Sequence, residues 1–432
     1  MNKFVIVGGG ATHTPGIIAA MMEKAQELKL GELVLYDIDE ERVRKMGEFT
    51  RIYMGEHRPE VKVSWTTDIA EAFTGADFLF VQIRPGGFPM RELDEKIPLR
   101  NGIVGQETCG LGGMAFALRM IPAIREIFDR AQEICPDAWI LNYSNPEAII
   151  SEMAYQLYPK AKIFCICDMP IAMEEVVADI LGIPLTELTF SYFGLNHFGW
   201  FTHIYDKSGK DWLPVLRDGV REGRITEITE ETEKNDFKKM VETFMLFPEG
   251  LPTCYLSYYL FPDEMVAMDS PDYTRANFIM DHREKDVFAE CDKVIAAGSA
   301  EGSALVAGVH GNYIVDIACS IIHDRKERFV VNVKNEGAIA NFDADAVVEV
   351  PCYVGAAGLE KTAVGEIPTF CKALMEMQKG YEKLVVEAAL THSYGKALQA
   401  VMLNKTVPSY RVGKKVLDGL MEANRDYWEP LS

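Results

Sequence analysis

The N-terminal segment most constrains the fold, because it combines two apolar strands, a glycine-rich turn and a helix in a fixed order. Residues 4–7 form an apolar strand, residues 8–16 contain four glycines, and residues 17–28 have the spacing of an amphipathic helix. Residues 33–36 form a second apolar strand, which ends in Asp37. This succession predicts a βαβ unit, and hence a parallel sheet with helices packed on it.

The turn of this unit has the composition of a dinucleotide site. Gly8 and Gly10 let a backbone approach a pyrophosphate closely, and the N-terminus of the following helix attracts its negative charge. Asp37 is placed to accept a hydrogen bond from a ribose 2′-hydroxyl, which favours NAD over NADP. The third glycine of the usual fingerprint is absent, so a glycine-rich turn without a ligand is the alternative.

The same alternation of strands and helices continues through the first half of the chain. We expect an α/β fold, with a Rossmann-type doubly wound parallel sheet in residues 1–196 and an α+β domain in residues 197–432. Further strands are predicted at residues 61–65, 78–83, 139–143, 162–167 and 188–193, and helices at 41–57, 113–134 and 147–157. In the second part we expect strands at 328–333 and 347–354 and helices at 274–297, 312–322 and 373–403, with a charged, exposed stretch at 218–239.

Cys167 ends the strand predicted at 162–167, and Asp168 follows it before a predicted helix that begins near Pro170. The carboxyl edge of an open α/β sheet is where such folds bind ligands, and the strand at 188–193 ends near His197. We therefore predict a metal site at Cys167 and His197. The alternative is a buried, inert cysteine and a structural histidine, because thirty residues separate them and no local zinc-finger spacing is present.

The connection at residues 84–112 is rich in glycine and proline and is predicted to be a long functional loop. It carries Arg84, Arg91, Arg100 and Glu107. Each of these charges could simply be solvated. For the aromatic segment at residues 251–259, packing in the hydrophobic core is the alternative to a functional role.

Composition excludes several classes of partner. The formal charge of −21 over 432 residues disfavours nucleic acids and anionic membranes, so an anionic substrate requires locally placed arginines. No run of eighteen apolar residues and no signal peptide are evident. Nine scattered cysteines argue for a reducing cytoplasm.

Several motifs together resemble glycoside hydrolase family 4, the NAD- and metal-dependent glycosidases. The similarity runs from residue 4 to about residue 428 and rests on GGGATHTPG, LYDID, VQIRPGGFPMRELDEKIPLRNGIVGQETCGLGG, LNYSNP, ICDMP, YFGLNHFGW, LPTCYLSYYLFPDEM, YTRAN and NEGAIANF. Within the family, CDMP resembles the 6-phospho-α-glucosidases, whereas CNVP is typical of enzymes that act on 6-phospho-β-glucosides. The resemblance implies a fold like that of lactate and malate dehydrogenases, and a phosphorylated disaccharide as substrate.

The resemblance also implies roles for individual residues. Cys167 and His197 match the ligands of a divalent metal, normally manganese, Asp168 matches the acid that protonates the leaving oxygen, and Tyr255 matches the base at C2 of the sugar. The substrate-binding positions are Arg91, Asn145 and Arg275, with Arg275 a phosphate contact, and the NAD-binding positions are Gly8, Gly9, Gly10, Thr12 and Asp37. The family removes hydride from C3, eliminates the C1 substituent, adds water and returns the hydride.

Three functional hypotheses remain open at the level of sequence. The first is hydrolysis of 6-phospho-α-glucosides, with a 6-phospho-β-glucosidase as its near alternative. The second is an NAD-dependent sugar-phosphate or hydroxy-acid dehydrogenase that consumes its cofactor, and the third is an NAD-binding sensor without turnover. A homodimer or homotetramer is expected.

Overall fold

A single mixed sheet runs through the molecule, with helices on both faces. The computed structural model describes residues 1–224, 242, 244, 246, 247, 250–306 and 311–432. Most of the predicted charged stretch at 218–239 lies outside the described residues. Within the described ranges, no helix combines the length and apolar character needed to cross a bilayer.

The strands fall into a parallel half and an antiparallel half. The strands are β1 Asn2–Val7, β2 Leu30–Tyr36, β3 Lys62–Thr66, β4 Phe78–Val81, β5 Trp139–Asn142, β6 Ile163–Cys165, β7 Leu188–Leu195, β8 Phe198–Asp206, β9 Leu251–Pro252, β10 Glu327–Lys334, β11 Val347–Gly355 and β12 Gly358–Lys361. Their order is β3-β2-β1-β4-β5-β6-β10-β11-β7-β8-β9, with β12 paired to β11. The first six are parallel in the order of dinucleotide-binding sheets, which confirms the predicted doubly wound fold.

The helices pack on both faces of this sheet. They are α1 Thr14–Glu23, α2 Glu40–His57, α3 Ile69–Phe73, α4 Gly87–Leu99, α5 Leu111–Ile134, α6 Glu147–Leu157, α7 Met169–Leu181, α8 Leu213–Arg221, α9 Leu256–Leu260, α10 Pro262–Met268, α11 Arg275–Ile279, α12 Lys285–Ala297, α13 Asn312–His323, α14 Thr369–Thr391, α15 Tyr394–Leu403 and α16 Tyr410–Asn424. One core joins α1, α2, α12 and α13 to the sheet, and a second core joins it to α3, α5, α6 and α14 to α16.

The antiparallel half continues the sheet directly. β10 pairs with β6 through Asn332 and Cys165, and β11 then pairs with β10 and β7. The predicted domain boundary between residues 196 and 197 falls in the turn between β7 and β8. Strands from both predicted parts therefore belong to one sheet, and the division into two domains stays a prediction.

The prediction of a loop across residues 84–112 was wrong, because this segment contains the thirteen-residue helix α4. Pro89 lies in the first turn, where a helix needs no backbone N–H from it, and Pro98 lies next to the last residue. Gly86 precedes the helix with a φ of 81°, a conformation that favours glycine. Glycine and proline therefore mark the ends of this helix and not the absence of one.

Two smaller predictions also needed correction. The strand predicted at 162–167 covers only Ile163–Cys165, so Cys167 lies beyond the strand and just before α7. The helix predicted at 373–403 is divided into α14 and α15, with His392 in the left-handed region at a φ of 51°.

Candidate functional site

A cavity of about 1130 Å³ opens at the carboxyl ends of the parallel strands. The turn after β1, the residues after β2, and the segments after β4, β5 and β6 line it. The opposite wall comes from α4, from the start of α9 and from the segment 274–284. Ligands of doubly wound sheets bind at this edge, so the fold alone already places the site here.

The glycine-rich turn forms one end of the cavity, which we call the cofactor end. Gly8 has a φ of 84°, and a side chain there would meet the carbonyl oxygen of Gln82 at 2.4 Å. A side chain at Gly10 would meet Cβ of Arg42 at 2.7 Å. Gly8 and Thr12 line the cavity, so the glycines allow a tight turn whose neighbouring residues face the open space.

Asp37 lies at the same end, after β2. Its two carboxylate oxygens accept hydrogen bonds from the backbone N–H groups of Gly10, at 2.9 Å, and Asp39, at 3.1 Å. Burial raises the pKa of Asp37, although these N–H donors and the charge of Arg42 act in the opposite direction. The carboxylate lines the cavity and keeps lone pairs for a further donor, as a ribose hydroxyl would supply.

Cys167 and His197 come together although thirty residues separate them. Sγ of Cys167 lies 3.4 Å from Nε2 of His197. A zinc-like ion forms bonds of about 2.3 Å to sulfur and about 2.1 Å to nitrogen. If the sulfur–metal–nitrogen angle lies between a right angle and the tetrahedral angle, the two ligand atoms are about 3.1 to 3.6 Å apart. The observed separation therefore fits two ligands of one ion.

The protonation states of this pair are also compatible with a cation. Burial lowers the pKa of His197 to about 4, so the imidazole is neutral near pH 7. Burial raises the pKa of the Cys167 thiol, and the charges of Asp168 and Glu349 raise it further. A bound cation would favour the thiolate. Within the described ranges, no three His, Cys, Asp or Glu side chains group as metal ligands, so substrate or water oxygens would complete the coordination.

The hairpin turn between β7 and β8 positions His197. His197 has a φ of 59°, in the left-handed region that non-glycine residues adopt at a cost of about 1 to 3 kcal/mol. The preceding Asn196 donates to Oε1 of Glu349 at 2.9 Å, and Tyr192 donates to Oε2 of Glu349 at 2.6 Å. This fully buried glutamate on β11 thus fixes the turn that carries the imidazole.

Asp168 precedes α7 and lines the cavity. If its role were only to cap the helix, its side chain would accept a hydrogen bond from the first turn, and it accepts none from α7. It accepts instead from the hydroxyl of Tyr143, whose pKa is raised by burial and by the charge of Asp168. The carboxyl group is therefore held toward the cavity by a side chain from the adjacent strand end.

Tyr255 lies at the start of α9 and faces the same part of the cavity. Its ring stacks on the imidazole of His197 with centroids 4.0 Å apart. This contact places the phenol beside the predicted metal pair. Asn145, after β5, also lines this region.

A cluster of charged residues, Arg84, Arg91 and Glu107, forms the second end of the cavity. We call it the sugar end, because the family resemblance implies that Arg91 binds the substrate. Nη1 of Arg84 lies 2.6 Å from Oε2 of Glu107, and Nη1 of Arg91 lies 3.1 Å from Oε1 of the same carboxylate. Nε of Arg91 also donates to Glu95 at 2.6 Å. Burial alone would raise the pKa of Glu107, but the charges of Arg84 and Arg91 hold it at about 2.

The structure brings most of the predicted site residues to this cavity. Arg275 lines the sugar end, whereas Arg100 follows α4 outside the lining. Sequence reasoning did not assign Arg283, which also lines the cavity, or Tyr143. The LNYSNP motif contains Tyr143 and was an available signal, but nothing in the sequence distinguishes Arg283 from other charged helical residues.

Comparison with known proteins places the chain among glycosidases. Residues 3–183 match the model described as Family 4 glycosyl hydrolase, and residues 192–407 match that of the Family 4 glycosyl hydrolase C-terminal domain. A maltose-6′-phosphate glucosidase of Fusobacterium mortiferum is 46% identical over 440 residues, which cover 100% of both chains. A 6-phospho-beta-glucosidase of Thermotoga maritima is 28% identical over 98% of this chain and 99% of that protein.

Two crystal structures have the same architecture. A 6-phospho-alpha-glucosidase from gut microorganisms, in complex with NAD and Mn²⁺, superposes with a TM-score of 0.95 at 41% identity over 100% of both chains. A second structure of such an enzyme, in complex with NAD and glucose-6-phosphate, superposes with a TM-score of 0.94 at 42% identity over 100% of both chains.

Proposed function

The chain belongs to family 4 of the glycoside hydrolases, and we propose that it hydrolyses 6-phospho-α-glucosides, such as maltose 6′-phosphate, to glucose 6-phosphate and an aglycone. The proposal rests on one observation: the glycine-rich turn, the Cys167–His197 pair and the arginine cluster all lie at the same cavity. The greater identity to the α-glucosidase than to the β-glucosidase supports the α-anomer.

NAD and Mn²⁺ are the proposed cofactors, since similar structures hold both. When bound, NAD exchanges a hydride with C3 of the sugar, and the metal ion stabilises negative charge on the oxygens at C2 and C3. Cys167 and His197 would hold the ion, and Asp37 would bind the adenosine ribose. Cys167 and His197 are two ligands only, which leaves coordination positions open for sugar oxygens.

The remaining residues act as acid, base and anchors. Oxidation at C3 acidifies the C2 proton, and the phenolate oxygen of Tyr255, beside His197, accepts it and becomes a hydroxyl. Asp168, in its protonated form, then protonates the glycosidic oxygen as the C1–O bond breaks. Water adds at C1 while C2 regains a proton, and the hydride returns to C3, so that glucose 6-phosphate is formed and NAD is not consumed. Arg275 binds the 6-phosphate, and Asn145 and Arg91 orient the sugar.

A panel of α- and β-glucosides with and without the 6-phosphate, assayed with NAD and Mn²⁺, tests the substrate. We expect turnover of the 6-phospho-α-glucosides only. Preference for the β-anomer would indicate the 6-phospho-β-glucosidase alternative, and equal turnover of maltose would contradict the requirement for phosphate. Steady accumulation of NADH would indicate a dehydrogenase, and binding without turnover would indicate a sensor.

Hydrolysis in heavy water tests the route. Because the C2 proton leaves to a base that exchanges with solvent, the glucose 6-phosphate formed should carry deuterium at C2, and NADH should not accumulate. A direct displacement at C1 leaves the C2 proton in place. Product without C2 deuterium, together with no isotope effect for substrate deuterated at C3, would contradict the proposed route.

The assembly as a homodimer or homotetramer and the cytoplasmic location stay predictions. Sedimentation of the purified protein would measure the number of subunits.

A further inference from the structure

An ion pair joins the cofactor end of the cavity to the opposite wall. Nη1 of Arg42, on α2, contacts Oε1 of Glu284, and both residues line the cavity. Glu284 is the last residue of a π-helical turn at Met280–Glu284, which comes directly before α12. The guanidinium of Arg42 is therefore bound to a carboxylate that lies outside the N-terminal βαβ unit.

Arg42 also lies against the glycine-rich turn. Its Nε donates a hydrogen bond to the carbonyl oxygen of Gly10 at 3.2 Å, and the backbone N–H of Gly10 donates to Asp37 at 2.9 Å. The positive charge of Arg42 acts to lower the pKa of Asp37. Arg42 thus adjoins the carboxylate that would bind the adenosine ribose.

An arginine in this place has a known chemical use. NADP differs from NAD by a phosphate on the 2′-oxygen of the adenosine ribose, and this group carries close to two negative charges at pH 7. Dinucleotide-binding folds that use NADP accommodate the phosphate with a nearby arginine, because the guanidinium group matches phosphate oxygens. Arg42 has the residue type and the position for this role, but Glu284 opposes its charge.

The first turn of α2 favours no anion in other ways. The N-terminus of a helix normally attracts negative charge. Here Oδ1 of Asp39 already accepts the backbone N–H of Arg42 at 3.0 Å, and Glu40 and Glu41 add two more carboxylates to the same turn. Binding of a 2′-phosphate beside this turn would therefore depend on the guanidinium of Arg42.

We infer that Glu284 determines nucleotide specificity, because it pairs with Arg42 and so withholds from NADP the cation that its 2′-phosphate requires. Asp37 disfavours NADP by repulsion, and Glu284 disfavours it by removing an attraction. The inference rests on the proposed function, in which NAD is the cofactor. It assigns part of the choice between NAD and NADP to a residue outside the βαβ unit.

Calorimetric titration of NAD and NADP into the protein without sugar tests the inference, and it requires no turnover. For Glu284→Gln we expect the affinity for NADP relative to NAD to rise about tenfold, because Arg42 gains a charge-assisted bond to the 2′-phosphate. Glu284→Ala also removes the acceptor and should shift the ratio at least as far. In Asp37→Asn/Glu284→Gln the repulsion is removed as well, and the ratio should rise about a hundredfold.

Two controls separate a freed Arg42 from other effects. Asp292→Asn breaks a second ion pair between α12 and α2, in which Nζ of Lys45 lies 3.0 Å from Asp292, and neither residue lines the cavity. It should leave the ratio unchanged, because looser packing of the two helices would weaken both nucleotides alike. In Arg42→Gln/Glu284→Gln the gain for NADP should disappear, since the cation is absent.

The outcomes distinguish the inference from the proposed function. An unchanged ratio in both Glu284→Gln and Glu284→Ala would overturn the inference, and so would a gain for NADP that persists without Arg42. Hydrolysis of 6-phospho-α-glucosides with NAD would leave the proposed function standing in either case. If the ratio shifts as expected but no glucoside is hydrolysed, the proposed function fails and the inference stands.

Discussion

The two ends of the cavity each hold a largely buried carboxylate, and their surroundings have opposite effects on it. Asp37, at the cofactor end, accepts two backbone N–H groups, and burial raises its pKa. Glu107, at the sugar end, contacts Arg84 and Arg91, which hold its pKa at about 2 despite burial. Burial acts to raise the pKa of both carboxylates, so the difference comes from the partners.

At the cofactor end, the carboxylate is held by backbone groups that are near it in the sequence. At the sugar end, it is held by charged side chains from segments that are far apart in the sequence. The groups around Asp37 belong to one βαβ unit, whose turn and strand end are fixed by the sheet. The partners of Glu107 come from the end of β4 and from α4, and the neighbouring cations come from the segment around α11. Disruption of the sugar end should therefore affect stability and substrate binding, while disruption of the cofactor end should affect NAD alone.

The largest expected effect is that of Cys167→Ser, which removes the sulfur ligand from the predicted metal pair of Cys167 and His197. We expect turnover to fall by about three orders of magnitude, because stabilisation of charge by the metal contributes several kcal/mol. Bound manganese should be lost, and NAD affinity should stay within experimental error, since Asp37 is untouched. Metal analysis and calorimetry measure the two outcomes.

Cys135→Ser is the matched control for this change, because Cys135 lies at the end of α5 and outside the cavity lining. It should retain both metal and turnover. Full activity of Cys167→Ser, or of the original protein after chelation, would exclude the metal from the reaction.

Glu107→Gln tests the ion cluster itself. Removing one partner from a buried pair leaves an uncompensated charge, so we expect the free energy of unfolding to fall by about 3 to 5 kcal/mol. Glu133→Gln breaks the exposed ion pair with Arg130 and should change the free energy of unfolding by less than about 1 kcal/mol. Chemical denaturation followed by fluorescence gives both values, and equal effects would show that Glu107 does not balance the arginines.

The pH dependence of the free energy of unfolding should show how strongly the two arginines stabilise ionised Glu107. Because the pKa of Glu107 is about 2 in the folded protein and about 4.5 when unfolded, its stabilisation is complete above pH 4.5 and is lost as the pH falls toward 2. The contribution is on the order of 3 kcal/mol. The difference in unfolding free energy between the original protein and Glu107→Gln should therefore shrink over this pH range, and a constant difference would contradict the assigned pKa.

The cofactor end was predictable from the sequence because its signals are local. The turn at Gly8, the strand before Asp37 and the apolar periodicity of the first helices all lie within short windows, and these signals predicted the doubly wound parallel sheet that is observed. The pairing of β10 with β6 was not predictable, since no local pattern specifies which distant strand extends a sheet.

The sugar end was only partly predictable, for the same reason. Cys167 and His197 were predicted as a pair from the strand ends and the motifs, and their separation of 3.4 Å is a result of tertiary packing. Glu107 contacts two arginines, and one of them, Arg91, lies on α4. The sequence did not predict this helix, because its glycines and prolines are typical of a loop. Arg283 depends on a π-helical turn, and sequence periodicity does not distinguish such a turn from ordinary helix.

The smallest expected effect belongs to Asp37→Asn, which changes the cofactor end without touching the ion cluster. Asparagine retains an acceptor for the backbone N–H of Gly10 but loses the negative charge. A hydrogen bond to a charged acceptor is stronger than one to a neutral acceptor, so we expect NAD affinity to fall by about tenfold. NADP should bind relatively better, because its 2′-phosphate no longer meets a carboxylate.

The control for this change is Asp68→Asn, which replaces the capping residue of α3 with another good cap outside the cavity lining. Titration of both nucleotides into both variants gives the ratio of NAD to NADP affinity. If Asp37→Asn left this ratio unchanged, the carboxylate would serve only to hold Gly10 and Asp39 in the turn. A fall in the free energy of unfolding comparable to that of Glu107→Gln would show that the two ends of the cavity are not independent. Such a fall is not expected, because Arg42, the cation that acts on Asp37, keeps its ion pair with Glu284.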